Sequence, residues 1–411
     1  MKRKTLIVWS ILAVLLAFLG WRFVRPMNIF LVSEAFERPV DSSRIPAGLK
    51  GLGAEECGEC HKEEYLEWSS SIHSQAWTDP YYQVDYLFDG AQQICLNCHI
   101  PLDRQQEHKV LGFRDSEKWD PILAPNPDFD PKLQNEGVTC SGCHVRNGTV
   151  LGAYGHENED HPVETMEDSN VICIQCHVVQ GERWDTFYRM PPCGTVAEIR
   201  AGYGKQSDRS GDLTVSDLGE LGCVECHMPD VKRPLVEGGK RRFARRHTWR
   251  GGQDPEMVKE ALKIALEEHA LPKNGKRRFV LTLTNSGADH YVPTGTPDRH
   301  LTVELRLLDG RGEVLEQERH TLKRTIMWRP FIIDLWDNRL ARKESRSYAL
   351  EFDSNREPDA VAVEAVVRYH LLDEARRKRI GYQNEEPISY EVFRRRLSVR
   401  PTFVMEDKET W

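Results

Sequence analysis

The amino-acid sequence predicts a multidomain chain. It comprises an N-terminal transmembrane helix, a mainly α-helical or irregular domain organised around five cysteine–histidine motifs, and a C-terminal all-β sandwich. Three observations predict it. A basic N-terminus runs straight into an apolar stretch. The pattern C-x-x-C-H recurs between residues 51 and 250, one copy roughly every 45 residues. Beyond "PKNGK" (272–276) the sequence changes to alternation of apolar and polar residues.

The first element is "MKRKTLIVWSILAVLLAFLGWRFVR". Its apolar run covers 6–19 and extends to Val24 if Trp21 and Arg22 sit at an interface, just enough for the roughly 20 residues that cross a bilayer. No A-x-A-like cleavage site follows closely, so residues 1–25 read as an uncleaved anchor rather than a removed signal peptide. Lys2, Arg3 and Lys4 place the N-terminus inside, an asymmetry weakened by Arg22 and Arg25. Residues 26–50, with Pro26, Pro39 and Pro46, read as a linker.

The next element turns on "ECGECHKEEYLEWSSSIHSQAW" (56–77). Cys57, Cys60 and His73 match part of a zinc-finger spacing, but the second histidine that a finger requires is missing three to five residues later. The alternative is the attachment sequence of c-type haem, in which two thiols close thioether bonds to one porphyrin and the following histidine ligates its iron. Five copies decide between them: Cys57/Cys60/His61, Cys95/Cys98/His99, Cys140/Cys143/His144, Cys173/Cys176/His177 and Cys223/Cys226/His227. Ten of the eleven cysteines are used, and every pair is followed by histidine. Five covalently bound haems c are therefore expected, and thioether attachment outside the cytoplasm agrees with export of the chain. Residues 51–272 form this domain, with porphyrins supplying the buried apolar surface. His73 follows a run with helical spacing, and a helix of twelve residues rises about 18 Å. One iron cannot take both His61 and His73, so His73 ligates a different iron or none.

The third element covers 273–405. Before it, at the end of the haem-motif domain, "DPEMVKEALKIALEEHA" (254–270) reads as a helix with an Asp cap and Pro in its first turn. The stretches 278–285, 300–322, 346–352 and 360–371 alternate as strands, with "DGRG" as a hairpin turn, giving six or seven strands. "EARRKR" and "SYEVFRRRL" read as short helix or edge segments.

The segments "CGECHKEEYLEWSSSIHSQA", "CLNCHIPL", "EGVTCSGCHVRNGTVLG", "HPVE", "LGCVECHMPD" and "RRHTWRGGQDPEMVKEAL" resemble multihaem cytochromes c related to cytochrome c-554 and hydroxylamine oxidoreductase. "HYVPTGTPDRHLTVELRLLDGRGEVL" resembles a β-domain often joined to such haem modules. The resemblance implies a pentahaem cytochrome c domain and distal iron ligands at His73, His161, His247 and His290, the last reaching from the β-domain. The fifth distal ligand stays open between His108 and His156, or one iron has none. Cys193, the thiol outside the motifs, and Met190 and Met228 are lesser candidates. His300, His320 and His370 lie in strand-like runs and read as ordinary.

The net charge of −8 and the absence of a basic stripe argue against nucleic acid. The basic runs "KRRFARR" and "EARRKRIGY" read as solvated faces. No nucleophile–base pair or glycine-rich phosphate loop marks the β-domain. Electron transfer along packed haems is the leading function, between redox partners such as a quinol-oxidising complex or other cytochromes. The chain would be a single-pass protein of the cytoplasmic membrane with its domains on the periplasmic side. The alternative is an oxidoreductase acting on a small nitrogen or sulfur compound at a five-coordinate haem, although all five motifs end in histidine rather than lysine. A β-domain that docks the partner is compatible with the first reading.

Overall fold

The computed structural model describes residues 2–24, 38–114, 120–155, 160–166, 168–177, 194–202, 222–269, 275–327, 333–384 and 386–399. His156, Met190 and Cys193 lie outside them. The chain divides into two units. The first holds residues 1–251 with 326–334 and 374–385, and the second holds the remainder.

The first unit opens with the helix Lys2–Val24. Its 20 residues from Lys4 to Phe23 have mean hydropathy 2.1 and bury nothing, so it is long and apolar enough to cross a membrane or serve as a signal sequence. Short helices follow, several started by an Asp-Pro pair. Asp79 caps Pro80–Phe88 by accepting the Tyr82 N–H, and Asp130 caps Pro131–Gln134 from Lys132 and Leu133. Proline fits there because the first helical N–H has no partner in any case. Three small sheets interleave with the helices. One is the hairpin of β1 (His108–Phe113) and β2 (Pro121–Pro125). Another joins β3 (Val145–Arg146), β4 (Thr149–Gly152) and β5 (Val163–Thr165). The third is the hairpin of β6 (Asp230–Pro234) and β7 (Arg241–Arg245).

The basic run at 374–382 also belongs to this unit. It forms the helix Glu374–Ile380, whose Arg376 donates to Asp85 and Asp89 and lies 5.1 Å over the Phe88 ring. It is a packed ion-pair surface, not the solvated face expected.

The second unit has two sheets. One runs β12 (Ile333–Asp337), β11 (Val314–Met327), β10 (His300–Asp309), β14 (Ala360–His370), β15 (Ser389–Ser398). The other runs β13 (Ser345–Asp353), β9 (Lys276–Asn285), β8 (Leu262–Glu268). Alternation puts Leu301, Val303, Leu305 and Leu307 of β10 into one hydrophobic cluster with Phe279, Leu281 and Leu283 of β9. The expected hairpin closes at Asp309, which accepts the N–H groups of Arg311 and Glu313. "SYEVFRRRL" is the edge strand β15, where Arg394 and Arg396 pair with Glu364.

A second expectation fails. The helix over 254–270 stops at Ala261, capped by Asp254 as expected, and the chain continues as β8. Leu262, Ile264 and Leu266 satisfy a two-residue period as well as the helical one, and pairing with β9 from Leu262↔Asn285 to Glu268↔Phe279 decides for strand.

Within the large sheet, His300 and His370 are cross-strand partners whose rings stack at 4.2 Å and 6°. Burial, then the His300 neighbour, pushes His370 from 6.5 down to about 4, with Arg368 and Arg319 adding to it and Asp373 opposing. His300 moves in the same direction, chiefly by burial. A histidine depressed in the folded state binds its proton more readily when unfolded. Stability is therefore complete above the ordinary value and falls as pH drops from 6.5 towards 4. Thermal unfolding of the second unit, followed by amide exchange in β10 and β14, is expected to occur at lower temperature near pH ~4.5 than at ~7, and His370→Gln is expected to shrink that difference.

Candidate haem-binding sites

One helical turn of C-x-x-C-H sets the two cysteines three apart and the histidine four from the first, all on one face. The second to fifth motifs close the short helices Gln93–His99, Cys140–His144, Asn170–His177 and Cys223–His227. The first forms a turn after the helix Ala54–Gly58, where the His61 and Cys60 N–H groups bond the Cys57 carbonyl at 2.9 and 3.3 Å. All ten motif cysteines are free of disulfides.

The motifs are neighbours in space. The sulfur of Cys57 lies in hydrogen-bonding range of Cys140, that of Cys98 near Cys176, and that of Cys173 near Cys223. Cys143 feels the charge of Cys176. The first motif therefore sits beside the third, the third beside the fourth, and the fourth beside the second and fifth.

Burial of the thiols is uneven. Eight are partly buried, whereas Cys60 and Cys226, the second cysteines of the first and fifth motifs, are exposed. Cys57 and Cys223 lie beside thiols of neighbouring motifs, Cys140 and Cys173 respectively. Exposure does not remove Cys60 or Cys226 from the attachment chemistry, which needs a free thiol at the right spacing rather than a buried one.

His61, His99, His144 and His227 each have one ring nitrogen committed to a backbone carbonyl. Nδ1 of His61 donates to Leu235 (2.9 Å), that of His99 to Ala76 (2.6 Å), that of His144 to Leu151 (2.7 Å) and that of His227 to Arg250 (2.6 Å). This bond fixes the tautomer and leaves Nε2 with its lone pair for a metal. Burial keeps the rings neutral: His99 is pushed down to about 4, and His144 moves the same way.

Two candidate distal histidines face motif histidines. His61 and His161 have ring centres 6.3 Å apart, and His144 and His247 have theirs 6.1 Å apart. A metal–imidazole bond of about 2.0–2.1 Å, doubled and extended by roughly 1.1 Å from each nitrogen to its ring centre, places two trans imidazoles about 6.3 Å apart. Both pairs have the separation that one iron between them requires. His247 donates from Nδ1 to the Arg245 carbonyl at 2.9 Å, and burial pushes it to about 4. His161 has a buried Nδ1 without a partner.

His73 lies near motif histidines other than its own: burial, then the charges of His177 and His227, push it down to about 3. Its Nδ1 is also buried without a partner. The Val138 N–H bonds the His73 carbonyl at 2.9 Å, and Gly137, at φ 61°, lets the chain pass where a Cβ would come within 2.7 Å of that oxygen. His290 lies in the β9–β10 loop of the second unit, with Nδ1 on the Tyr291 carbonyl at 2.9 Å. His108 is exposed at the start of β1. Met228 follows the helix of the fifth motif as its C-cap. His99 stacks on Tyr82 at 3.6 Å and 11°, and the Tyr82 hydroxyl is buried without a partner.

Sequence reasoning missed the supports of these rings. Arg233, on β6, is almost fully buried and donates to Glu67 through both Nη atoms (2.8 and 2.9 Å), to Glu64 (3.0 Å) and to the Arg245 carbonyl (3.2 Å). The same Glu67 carboxylate accepts the His247 N–H at 2.8 Å and Arg246 at 2.7 Å. Burial raises Glu67, but the Arg233 hydrogen bond, the His247 N–H and the charges of Arg233 and Arg246 together outweigh it and hold the carboxyl below the usual carboxylate range. The basic run 240–246 thus anchors a candidate ligand. The donor set as a whole, paired thiols beside neutral imidazoles whose second nitrogen is held or sealed, fits haem c.

A family model described as cytochrome c554 and c-prime matches residues 56–118, which hold the first two motifs. The fold is similar to the crystal structure of a penta-heme cytochrome c552 from Thermochromatium tepidum, with TM-score 0.61 and 19% identity over 86% of this chain and 100% of that one. A structural-genomics target is also matched at 11% identity over 33% of this chain and 83% of its own, but at TM-score 0.16 it carries no argument. No curated protein sequence matches. With five attachment motifs in the chain, the family model and the shared fold support a multihaem cytochrome c.

Proposed function

We propose that this chain is an exported, membrane-anchored electron-transfer cytochrome that carries five haems c between redox partners. The observation that carries the reading is the pair of imidazole separations, 6.3 Å for His61/His161 and 6.1 Å for His144/His247. Bound haem supplies the one-electron chemistry. The protein's residues do the rest. Five cysteine pairs would provide covalent attachment, and the motif histidines would each supply one imidazole to an iron. His161 and His247 would supply a second imidazole to the irons of His61 and His144, and His73, whose charge neighbours are His177 and then His227, would do so for the iron of His177. Irons held by two imidazoles would leave no position for substrate, which favours a carrier. The close approach of the thiols links the sites in the order first, third, fourth, with the second and fifth joined to the fourth. The helix Lys2–Val24 would anchor the chain with both units on the periplasmic side, where a quinol-oxidising complex or another cytochrome exchanges electrons. The two C-terminal sheets would form a β-sandwich serving as a docking module.

A second reading, catalysis on a small nitrogen or sulfur compound, takes its support from the second motif. Tyr82 stacks on His99, and no histidine among the described residues makes a ring contact with it. A pyridine haemochrome assay is expected to find five haems per chain. Electron paramagnetic resonance of the oxidised protein is expected to show low-spin signals unmoved by cyanide or hydroxylamine. A high-spin signal that takes either ligand would transfer the proposal to the second reading, and protein without covalent haem would end both.

A further inference from the structure

Residues 245–250 touch three of the five sites. The Arg245 carbonyl receives His247 Nδ1, His247 faces His144, and the Arg250 carbonyl receives His227 Nδ1. Between them stands Trp249. Its indole meets the His247 ring edge-on at 5.3 Å and 89°, and the His73 ring at 4.7 Å and 68°. Its backbone is left-handed, at φ 41°. A bulky residue is rarely found there, and such a conformation persists only where the surroundings over-determine it. Here they do: the His247 N–H is tied to Glu67 on one side and the Arg250 carbonyl to His227 on the other. The strained turn places one indole against two histidines assigned to different irons.

We propose that Trp249 is a positioning residue shared by two haem sites, setting the ring planes of His247 and His73. This rests on the ligand assignment made above. The two histidines depend on it unequally. The plane of His247 is also held by the bond from Nδ1 to Arg245, whereas His73 Nδ1 has no partner. The indole edge is the ring contact of His73 where no Nδ1 hydrogen bond helps to hold the plane, so the site of His73 is the more sensitive of the two.

The relative orientation of two axial imidazole planes governs the anisotropy of a low-spin ferric signal, so resonance spectra read ring planes directly. In the full-length haem-loaded protein, Trp249→Leu is expected to displace two of the five signals, the His73 site by more, with three unmoved. Trp249→Phe, which keeps an aromatic edge, is expected to show only a small part of that displacement. A Trp249→Leu spectrum that superimposes on wild type, or one in which all five signals move together, overturns the proposal. If Trp249→Leu does not retain five haems, Trp249→Phe carries the test: a smaller displacement confined to the same two signals supports it, and none overturns it. Haem content of the wild type, measured on the same samples, separates the readings. A full complement with unmoved signals overturns the role of Trp249 alone, whereas wild-type protein lacking covalent haem overturns the ligand assignment with it.

Discussion

Full-length chain made without haem attachment is expected to lose amide protection throughout residues 51–251 while β9, β10 and β14 of the second unit keep theirs. The two units differ in what fills their interiors. Twenty-two buried residues form one hydrophobic cluster in the second unit, drawn from both sheets. In the first, the described clusters are Leu52, Leu102, Leu133 and Val145 in one place and Val196 and Ile199 in another. Fixing a residue's backbone costs about 1–2 kcal/mol, and so few side chains cannot offset that over a segment of this length. Polar atoms add to the deficit. His73 Nδ1, His161 Nδ1 and the Tyr82 hydroxyl are sealed from solvent without partners, each a desolvation cost that the apo chain avoids by opening. Hydrogen exchange read by mass spectrometry on apo and haem-loaded protein makes the comparison. Protection of 51–251 in the apo chain equal to the loaded form would show that the protein core suffices.

Much of the site was legible in the sequence because haem attachment is a local chemical requirement. Cys57, Cys60 and His61 announce it within five residues, and repetition removes the competing zinc reading. Which thiols would be exposed was not legible: Cys223 and Cys226 look equivalent in "CVECH", yet Cys223 is partly buried beside Cys173 and Cys226 is exposed. His161 and His247 were reached only through resemblance, since nothing local to "HPVE" or "RRHTW" says which iron each ring faces. Those assignments depend on chain closure over long separations, 100 residues from His61 to His161 and 103 from His144 to His247. The supports were hidden for the same reason. A backbone carbonyl such as that of Leu235 or Arg250 has no signature in sequence, and Glu67 looks like one more exposed acid on a helix until Arg233 and His247 close on it. The β-strands were visible because alternation is also local, save β8, where one run satisfied two periods and a partner strand chose between them.

Replacing His161 is expected to change one haem in five and leave the others as they were. His61 keeps its bond to the Leu235 carbonyl, so the proximal side stays oriented whatever stands opposite. With His161→Ala the sixth position of that iron opens, and the oxidised protein is expected to gain one high-spin signal that cyanide converts to low spin. With His161→Met a thioether takes the position; histidine–methionine ligation favours the reduced iron relative to bis-histidine, so one of five potentials is expected to rise. Both variants keep Cys57 and Cys60, so haem content is expected to remain five and the change belongs to ligation, not attachment. His108→Ala is the contrasting substitution. Its ring is exposed at the start of a hairpin, and it is expected to alter neither spectrum nor potentials. If His108→Ala instead opens an iron while His161→Ala leaves all signals low-spin, the separation of 6.3 Å between His61 and His161 is a packing coincidence, and the ligand of the first haem must be sought elsewhere.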